Sequence, residues 1–309
     1  MKLTACITTY NRPEFLRESL NSLCNQSNNE FQILILDNGS DLITEKIIQE
    51  YQKNYKNILY KRHKPMQISE QRNLALKIVN TKYLGFLDDD DFWHQKKVQE
   101  FYNFLKKFNR KEIAFWYSGF CFFKDVDAKR IFSNKITDNK SDLRSLLLQR
   151  GDFTGSASNP IFNVKIAKEI NGFDNKILTG EDYDFYLRLS KQNKFYFTNR
   201  SLTFIRQHQG PRLGGRLRDY IRTEINILRK FYGLYPEIDQ ILIRKIVTKL
   251  IRIKKPRSAR HLIHLKKIQF NREYLINCFI YIASFFGTDF YYFIHKTFLN
   301  LSKKLRRSI

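Results

Sequence analysis

Residues 86–93, FLDDDDFW, set four carboxylates in a row, Asp88 to Asp91, at the end of an apolar run. In extended backbone, successive side chains point to opposite faces, which would pair Asp88 with Asp90 and Asp89 with Asp91. Two carboxylates about 4 Å apart repel by roughly 4 kcal/mol at an effective dielectric near 20, so something cationic should relieve them. A hard divalent ion, Mg²⁺ or Mn²⁺, suits carboxylate oxygens and completes its shell with substrate phosphates and water. The cluster is therefore a candidate metal and diphosphate site. A second acidic group, Gly180-Glu181-Asp182, stands where a loop feeds a helix. There Asp182, with Glu181 and Asp184 beside it, would have its affinity for protons raised by like charges, as suits a base acting on a hydroxyl. The stretch RQHQGPRLGGR carries Arg206, Arg212 and Arg216 on glycine-rich backbone, the make-up of a loop that closes over a diphosphate. Each has a plainer reading: a solvated acidic loop, a helix start with favourably placed acids, an exposed basic loop.

These residues need a scaffold. LTACITTY (3–10), FQILILD (31–37), NILYKR and KYLGFLD read as strands, with helical apolar spacing between them at Leu16, Leu20, Leu23 and again at Ile43, Ile47, Ile48, Tyr51. A third helix, carrying Leu74, Ile78 and Val79, is expected to be capped by Ser69. Alternation of strand and helix over about 90 residues implies an open, mostly parallel α/β sheet, in which ligands collect beyond the carboxyl ends of the strands. Tyr10-Asn11-Arg12, Asp37-Asn38 and Asp88 to Asp91 all follow strands and should meet in one crevice. Beyond Phe92 come a long helix with Val98, Phe101 and Tyr102, the segment IAFWYSGFCFF, and a polar stretch near 125–141 that reads as irregular.

Composition sets the limits. With 309 residues, 42% of them hydrophobic, the chain can bury a sizeable core, and 12 Gly and 6 Pro argue against a collagen-like or disordered polymer. The net charge of +25 is uneven: residues 199–309 hold 24 Lys+Arg against 6 Asp+Glu, residues 1–198 hold 31 against 24. The second part thus faces something anionic. Cys6, Cys24, Cys121 and Cys278 lack metal-ligand spacing and the start has no signal-peptide pattern, the expectation for a reduced, cytoplasmic protein. YLINCFIYIASFFGT (274–288) has fifteen uncharged residues, short of the roughly 20 that a spanning helix needs. With the basic end KKLRR, this tail reads either as an element in a membrane interface or as a buried packing helix.

TTYNRPEFLRESLNSLCNQ, ILDNGSD, QRNLAL, FLDDDDFW and NGFDNKILTGEDYDFYLRL, in this order, resemble an inverting nucleotide-sugar glycosyltransferase of family 2 with the GT-A fold, a Rossmann-like mostly parallel α/β sheet flanked by helices. The resemblance covers about residues 1–210. It implies that Thr8, Tyr10, Asn11 and Arg12, with Asp37, hold the uracil and ribose of a UDP-sugar, and that Arg72 approaches the nucleotide. It implies roles in donor and metal binding for Asp88, Asp89 and Asp90, with Asp90 on the divalent ion and His208 near the ion or diphosphate. Arg212 falls in the diphosphate loop, and Asp182 matches the catalytic base. Residues 1–218 would form the GT-A domain, and 219–309 a basic, amphipathic helical region that docks on the anionic inner face of the cytoplasmic membrane.

The chain also departs from parts of that family. It has no QxxRW segment, which favours addition of single sugars over polymerisation, and Asp89 fills the middle of the acidic motif, leaving open which pair binds the ion. The acceptor would be a glycan or lipid-linked glycan, such as a lipopolysaccharide, capsule or protein-glycan precursor. A sugar-nucleotide nucleotidyltransferase is the rival enzyme, but it should show a Gly-rich phosphate loop where this chain has TTYNRP. A nucleic-acid-binding protein is the rival of another class. No zinc-finger or other recognition motif supports it, so no nucleic-acid partner is expected.

Overall fold

The computed structural model describes residues 1–107, 113–124, 127–134, 154–190, 195–207 and 217–231, with scattered helical positions between 239 and 258. The chain divides into two compact units, Met1–Gly210 and Pro211–Ile309.

The first unit opens as read from the sequence. Strands β1 (Leu3–Thr9), β2 (Gln32–Asp37), β3 (Ile58–Arg62) and β4 (Tyr83–Asp88) alternate with helices α1 (Pro13–Cys24), α2 (Leu42–Asn54) and α3 (Ile68–Ile78). The four strands pair in parallel in the order β3-β2-β1-β4. Strand β1 is buried along its whole length and β2 from Ile33 onward, which is why FQILILD reads as a nearly continuous apolar run, whereas the edge strand β3 is mostly exposed after Ile58. Pro13 starts α1 with its ring preset for the first turn. Asp41 caps α2 by accepting from Thr44 N at 3.1 Å.

Helix α3 starts two residues earlier than expected. Its N-cap is Gln67, whose backbone N–H donates to Glu70 Oε2 at 2.9 Å, and Ser69 lies inside the first turn, buried. A glutamate three residues into the helix reaches back to the cap and outcompetes the serine.

The rest of the sheet is mixed. Strands β5 (Phe92–Trp93), β6 (Phe115–Lys124), β7 (Asp127–Asn134), β8 (Ile161–Asn163) and β9 (Phe195–Arg206) continue it as β4-β8-β6-β9-β5, and β7 pairs β6. The polar stretch read as irregular thus contains a strand, β7, antiparallel to the second half of β6. Backbone pairing to β6 makes a strand there that apolar periodicity could not reveal. Helix α4 (Lys97–Lys107) packs Phe101 against Tyr83 and Trp116, and Trp93, Trp116, Phe101 and Leu87 belong to one core. Helices α5 (Val164–Glu169) and α6 (Glu181–Leu189) follow β8.

Cys6 and Cys121 are buried and Cys24 is half-buried, all with free thiols. Burial pushes the Cys24 thiol up to about 12, so it is inert packing rather than a nucleophile.

In the second unit, α7 (Leu217–Phe231) buries Ile221, Ile227, Leu228 and Phe231 and exposes Arg218, Arg222, Arg229 and Lys230. Among the described residues no helix is long and apolar enough to cross a membrane. The segment 274–288 lies outside the described residues, as do His208, Arg212 and Arg216.

Candidate active site

Parallel register brings the first three loops together. Thr9 pairs with Asp37 across β1 and β2, and Thr8 with Asp88 across β1 and β4, so the ends of the three strands lie side by side. The loop after β1 turns sharply at Asn11, whose φ of 50° is left-handed. Its backbone and side chain both support that turn: the Asn11 backbone N–H donates to Ser40 Oγ at 2.9 Å and Asn11 Oδ1 accepts from Asp41 N at 2.9 Å. Tyr10 is left 52% exposed at the mouth of the crevice. Asp37 is fully buried, with one oxygen accepting from Ser40 N and the other from the Tyr60 hydroxyl, both at 2.8 Å. It fixes the loop 38–40 beside Asn11.

The acidic cluster is not extended. Strand β4 ends at Asp88 and the chain turns, with Asp91 N donating to Asp88 O at 3.1 Å. The alternation expected of a strand gives way to four separate surroundings. Asp89 points inward: Thr9 Oγ1 donates to it at 2.8 Å and Arg12 Nη1 lies 3.2 Å away. Burial pushes its carboxyl up to about 7 against the pull of Arg12 and Thr9. Asp90 shares the same Arg12 nitrogen at 3.2 Å. Asp91 is buried under the turn, accepting from Ser158 Oγ at 2.6 Å, Ser156 Oγ at 3.1 Å and Arg206 N at 2.9 Å. Burial and the charges of Asp88 and Asp90 push its proton affinity well up.

Asp88 keeps 36% of its side chain exposed and meets Arg72 Nη2 at 3.6 Å. Loss of water in the crevice wall raises its proton affinity, Arg72 opposes that, and Asp90 and Asp182 add to it. The outward carboxylate is thus Asp88; Asp90 keeps 13% of its side chain exposed, against 7% for Asp89.

Arg72 is almost wholly buried, its guanidinium 5.5 Å from the ring centres of both Phe86 and Phe173. Its other end-nitrogen, Nη1, donates to Glu181 Oε1 at 2.5 Å. Burial works against the Arg72 charge, and Glu181, Asp88 and Asp182 outweigh it, so the guanidinium stays charged. Glu181 is the first residue of α6, entered through Gly180 at φ 77°. Burial pushes the Glu181 carboxyl up, and Arg72 pulls it down. Asp182 follows at the half-buried rim, its Oδ1 accepting from Tyr183 N at 2.8 Å. Asp184 is fully buried and paired with Arg188 at 2.6 Å, which removes it as a rival base.

Several supports escaped the sequence reading. Ser156 and Ser158 sit in GDFTGSASNP, whose run of small polar residues was the available signal. Arg206 was expected on the closing loop. It is instead the last residue of β9, buried between Phe15 and Phe123, donating to Asp90 O at 2.9 Å and ion-paired with Glu18. Lys97 had no signal at all. It is fully buried, bonded to Asn159 O at 2.7 Å and to Thr203, and lies 4.8 Å from the Trp93 ring centre. Burial lowers its pKa well below the usual range.

Gly155 allows this loop to approach. Its φ is +81°, and a Cβ there would stand 2.6 Å from Phe120 Cε2. Gly155→Ala is expected to cost about 2 kcal/mol, combining left-handed strain and overpacking, read as a lower denaturation midpoint.

The acidic turn has the right chemistry for a hard divalent ion: oxygen donors only, with Asp88 the most exposed and Asp90 partly exposed beside Arg12. Among the described residues no three His, Cys, Asp or Glu side chains gather at one point, so phosphate oxygens and water would have to complete the shell.

A family model described as "Glycosyl transferase family 2" matches residues 4–170. An uncharacterized glycosyltransferase of Methanocaldococcus jannaschii is 29% identical over 189 residues, covering 60% of this chain and 63% of that protein. An uncharacterized glycosyltransferase of Rickettsia bellii is 26% identical over 208 residues, of which the chain spans 29% of the relative's length. The UDP-Glc:alpha-D-GlcNAc-diphosphoundecaprenol beta-1,3-glucosyltransferase WfaP of Escherichia coli is 27% identical over 224 residues, covering 72% of this chain and 84% of that one. Among solved structures, S. aureus TarS 1-349 in complex with UDP-GlcNAc superposes with a TM-score of 0.65 over 92% of this chain and 81% of that chain. At 17% identity this likeness concerns the fold, and the fold is the expected GT-A one. With the strand-end crevice in place and the family model spanning more than half of its length, the chain belongs to glycosyl transferase family 2.

Proposed function

We propose that this protein is an inverting, metal-dependent glycosyltransferase that moves a single sugar from a UDP-sugar to a hydroxyl of a lipid-linked or cell-surface glycan. The observation that carries the proposal is the joining of the acidic turn to the start of α6: Arg72 touches Asp88 on one side and Glu181, next to Asp182, on the other. A donor-binding turn and a carboxylate base thus border one crevice. The S. aureus neighbour, solved with UDP-GlcNAc, and the E. coli relative, named for a UDP-glucose donor and a diphosphoundecaprenol-linked acceptor, support that choice of substrates.

In the proposed reaction Asp182 accepts the proton of the acceptor hydroxyl as its oxygen bonds to the anomeric carbon. The carbon–oxygen bond to the diphosphate breaks on the opposite face, so the configuration inverts and UDP departs. Thr8, Tyr10, Asn11 and Arg12, with the loop that Asp37 fixes, would hold the nucleoside, a reading that the exposure of the Tyr10 ring supports by leaving it free to stack on uracil. Asp88 lies toward the ribose and sugar. Asp90, with His208, would hold the divalent ion, which when bound supplies positive charge to the leaving diphosphate. Asp89 orients Arg12, and Arg212 is kept as a proposed phosphate contact on its sequence alone. Such an enzyme would work at the inner face of the cytoplasmic membrane, where the basic residues of 219–309 meet anionic lipid.

A panel of nucleotide sugars tested with Mn²⁺ and with EDTA is expected to give one UDP-sugar that is slowly hydrolysed and stabilises the protein thermally, only with metal. Silence across the panel, with tight and salt-sensitive nucleic-acid binding instead, would overturn the proposal.

A further inference from the structure

We infer that Glu181 is a positioning residue for the base and that Arg72 ties it to the donor turn, so that one buried guanidinium fixes the spacing between Asp88 and Asp182. The inference rests on Asp182 acting as the base. Arg72 cannot serve as a solvent-facing phosphate ligand where it stands: only 4% of its side chain is exposed, and the rings of Phe86 and Phe173 flank its guanidinium. Its Nη1 is held by Glu181 at 2.5 Å and its Nη2 faces Asp88 at 3.6 Å. The two carboxylates come from segments far apart in the chain, β4 and the first turn of α6.

Glu181 does more than neutralise a buried charge. It is the first helical residue after Gly180, and Asp184 N closes that turn onto Gly180 O at 3.1 Å. Anchoring Glu181 on Arg72 therefore sets the rotation of the turn that presents Asp182. A displacement of about 1 Å at a reacting group can cost about 100-fold in rate, which is the scale on which such a strut matters.

The test is a set of three variants in the full chain, assayed for transfer and for UDP-dependent thermal stabilisation in Mn²⁺. Asp182→Asn tests the underlying reading: it should lower transfer by about 10²–10⁴-fold and keep the UDP response. Glu181→Gln removes the charge but can still accept from Arg72. It is expected to lower kcat about 100-fold with the donor KM changed less than about threefold. Glu181→Asp, which retains the charge one methylene short, should fall between wild type and Glu181→Gln in kcat. If Asp182→Asn is inactive while both Glu181 variants keep wild-type kcat, whatever their melting temperatures, the strut is structural only and the inference fails. If Asp182→Asn is active, the assignment of the base fails instead.

Discussion

Asp182→Asn is expected to reduce sugar transfer by about 10²–10⁴-fold while leaving metal-dependent UDP binding unchanged. The amide keeps the shape of the side chain and can still accept from Tyr183 N, as Asp182 Oδ1 does at 2.8 Å. It cannot take the acceptor proton. The effect should therefore appear in kcat, and slow donor hydrolysis by water should fall with it. Asp184→Asn makes a useful contrast. That side chain is fully buried and paired with Arg188, so its loss should show as a lower melting temperature rather than as a specific loss of the chemical step. Full transfer activity in Asp182→Asn, measured with a matched donor and acceptor, would remove this residue as the base.

The second large effect is expected at the acidic turn. Asp90→Ala should abolish the response to Mn²⁺ and lower transfer by about 10³-fold, since a divalent ion at a departing diphosphate is worth several kcal/mol. Asp91→Ala should behave differently. Its carboxylate accepts from Ser156, Ser158 and the backbone of Arg206, so removing it leaves buried donors unsatisfied and should unfold the turn. Isothermal titration with Mn²⁺ in the presence of UDP, beside a thermal melt, separates the two. A wild-type Mn²⁺ isotherm in Asp90→Ala would move the ion to another carboxylate, with Asp88, the most exposed of the four, the first candidate.

The scaffold of the site was legible because each relevant loop follows a buried parallel strand. QILILD and YLGFLD are nearly continuous apolar runs and LTACITT is buried throughout, and in-register pairing then makes the positions of Thr9, Asp37 and Asp88 follow from strand lengths alone. The cap of α3 and strand β7 were misread. A glutamate reaching back from the first turn and a polar strand paired through its backbone leave little trace in apolar periodicity.

The sequence by itself determined the fold class, the convergence of three loops on one crevice and the placing of an acidic pair at the entry to α6, because local hydrophobic pattern and strand order suffice for these. Only the tertiary structure decided what each carboxylate does. Four adjacent aspartates look alike in a sequence, yet Asp89 is bonded to Thr9 across 80 residues, Asp91 to Ser158 across 67 and to Arg206 across 115. Glu181 and Asp182 are neighbours, and Arg72, 109 residues away from Glu181, draws one inside and leaves the other at the rim. A carboxylate's charge state and direction depend on the donors around it and on its distance from water, and those are set by long-range packing.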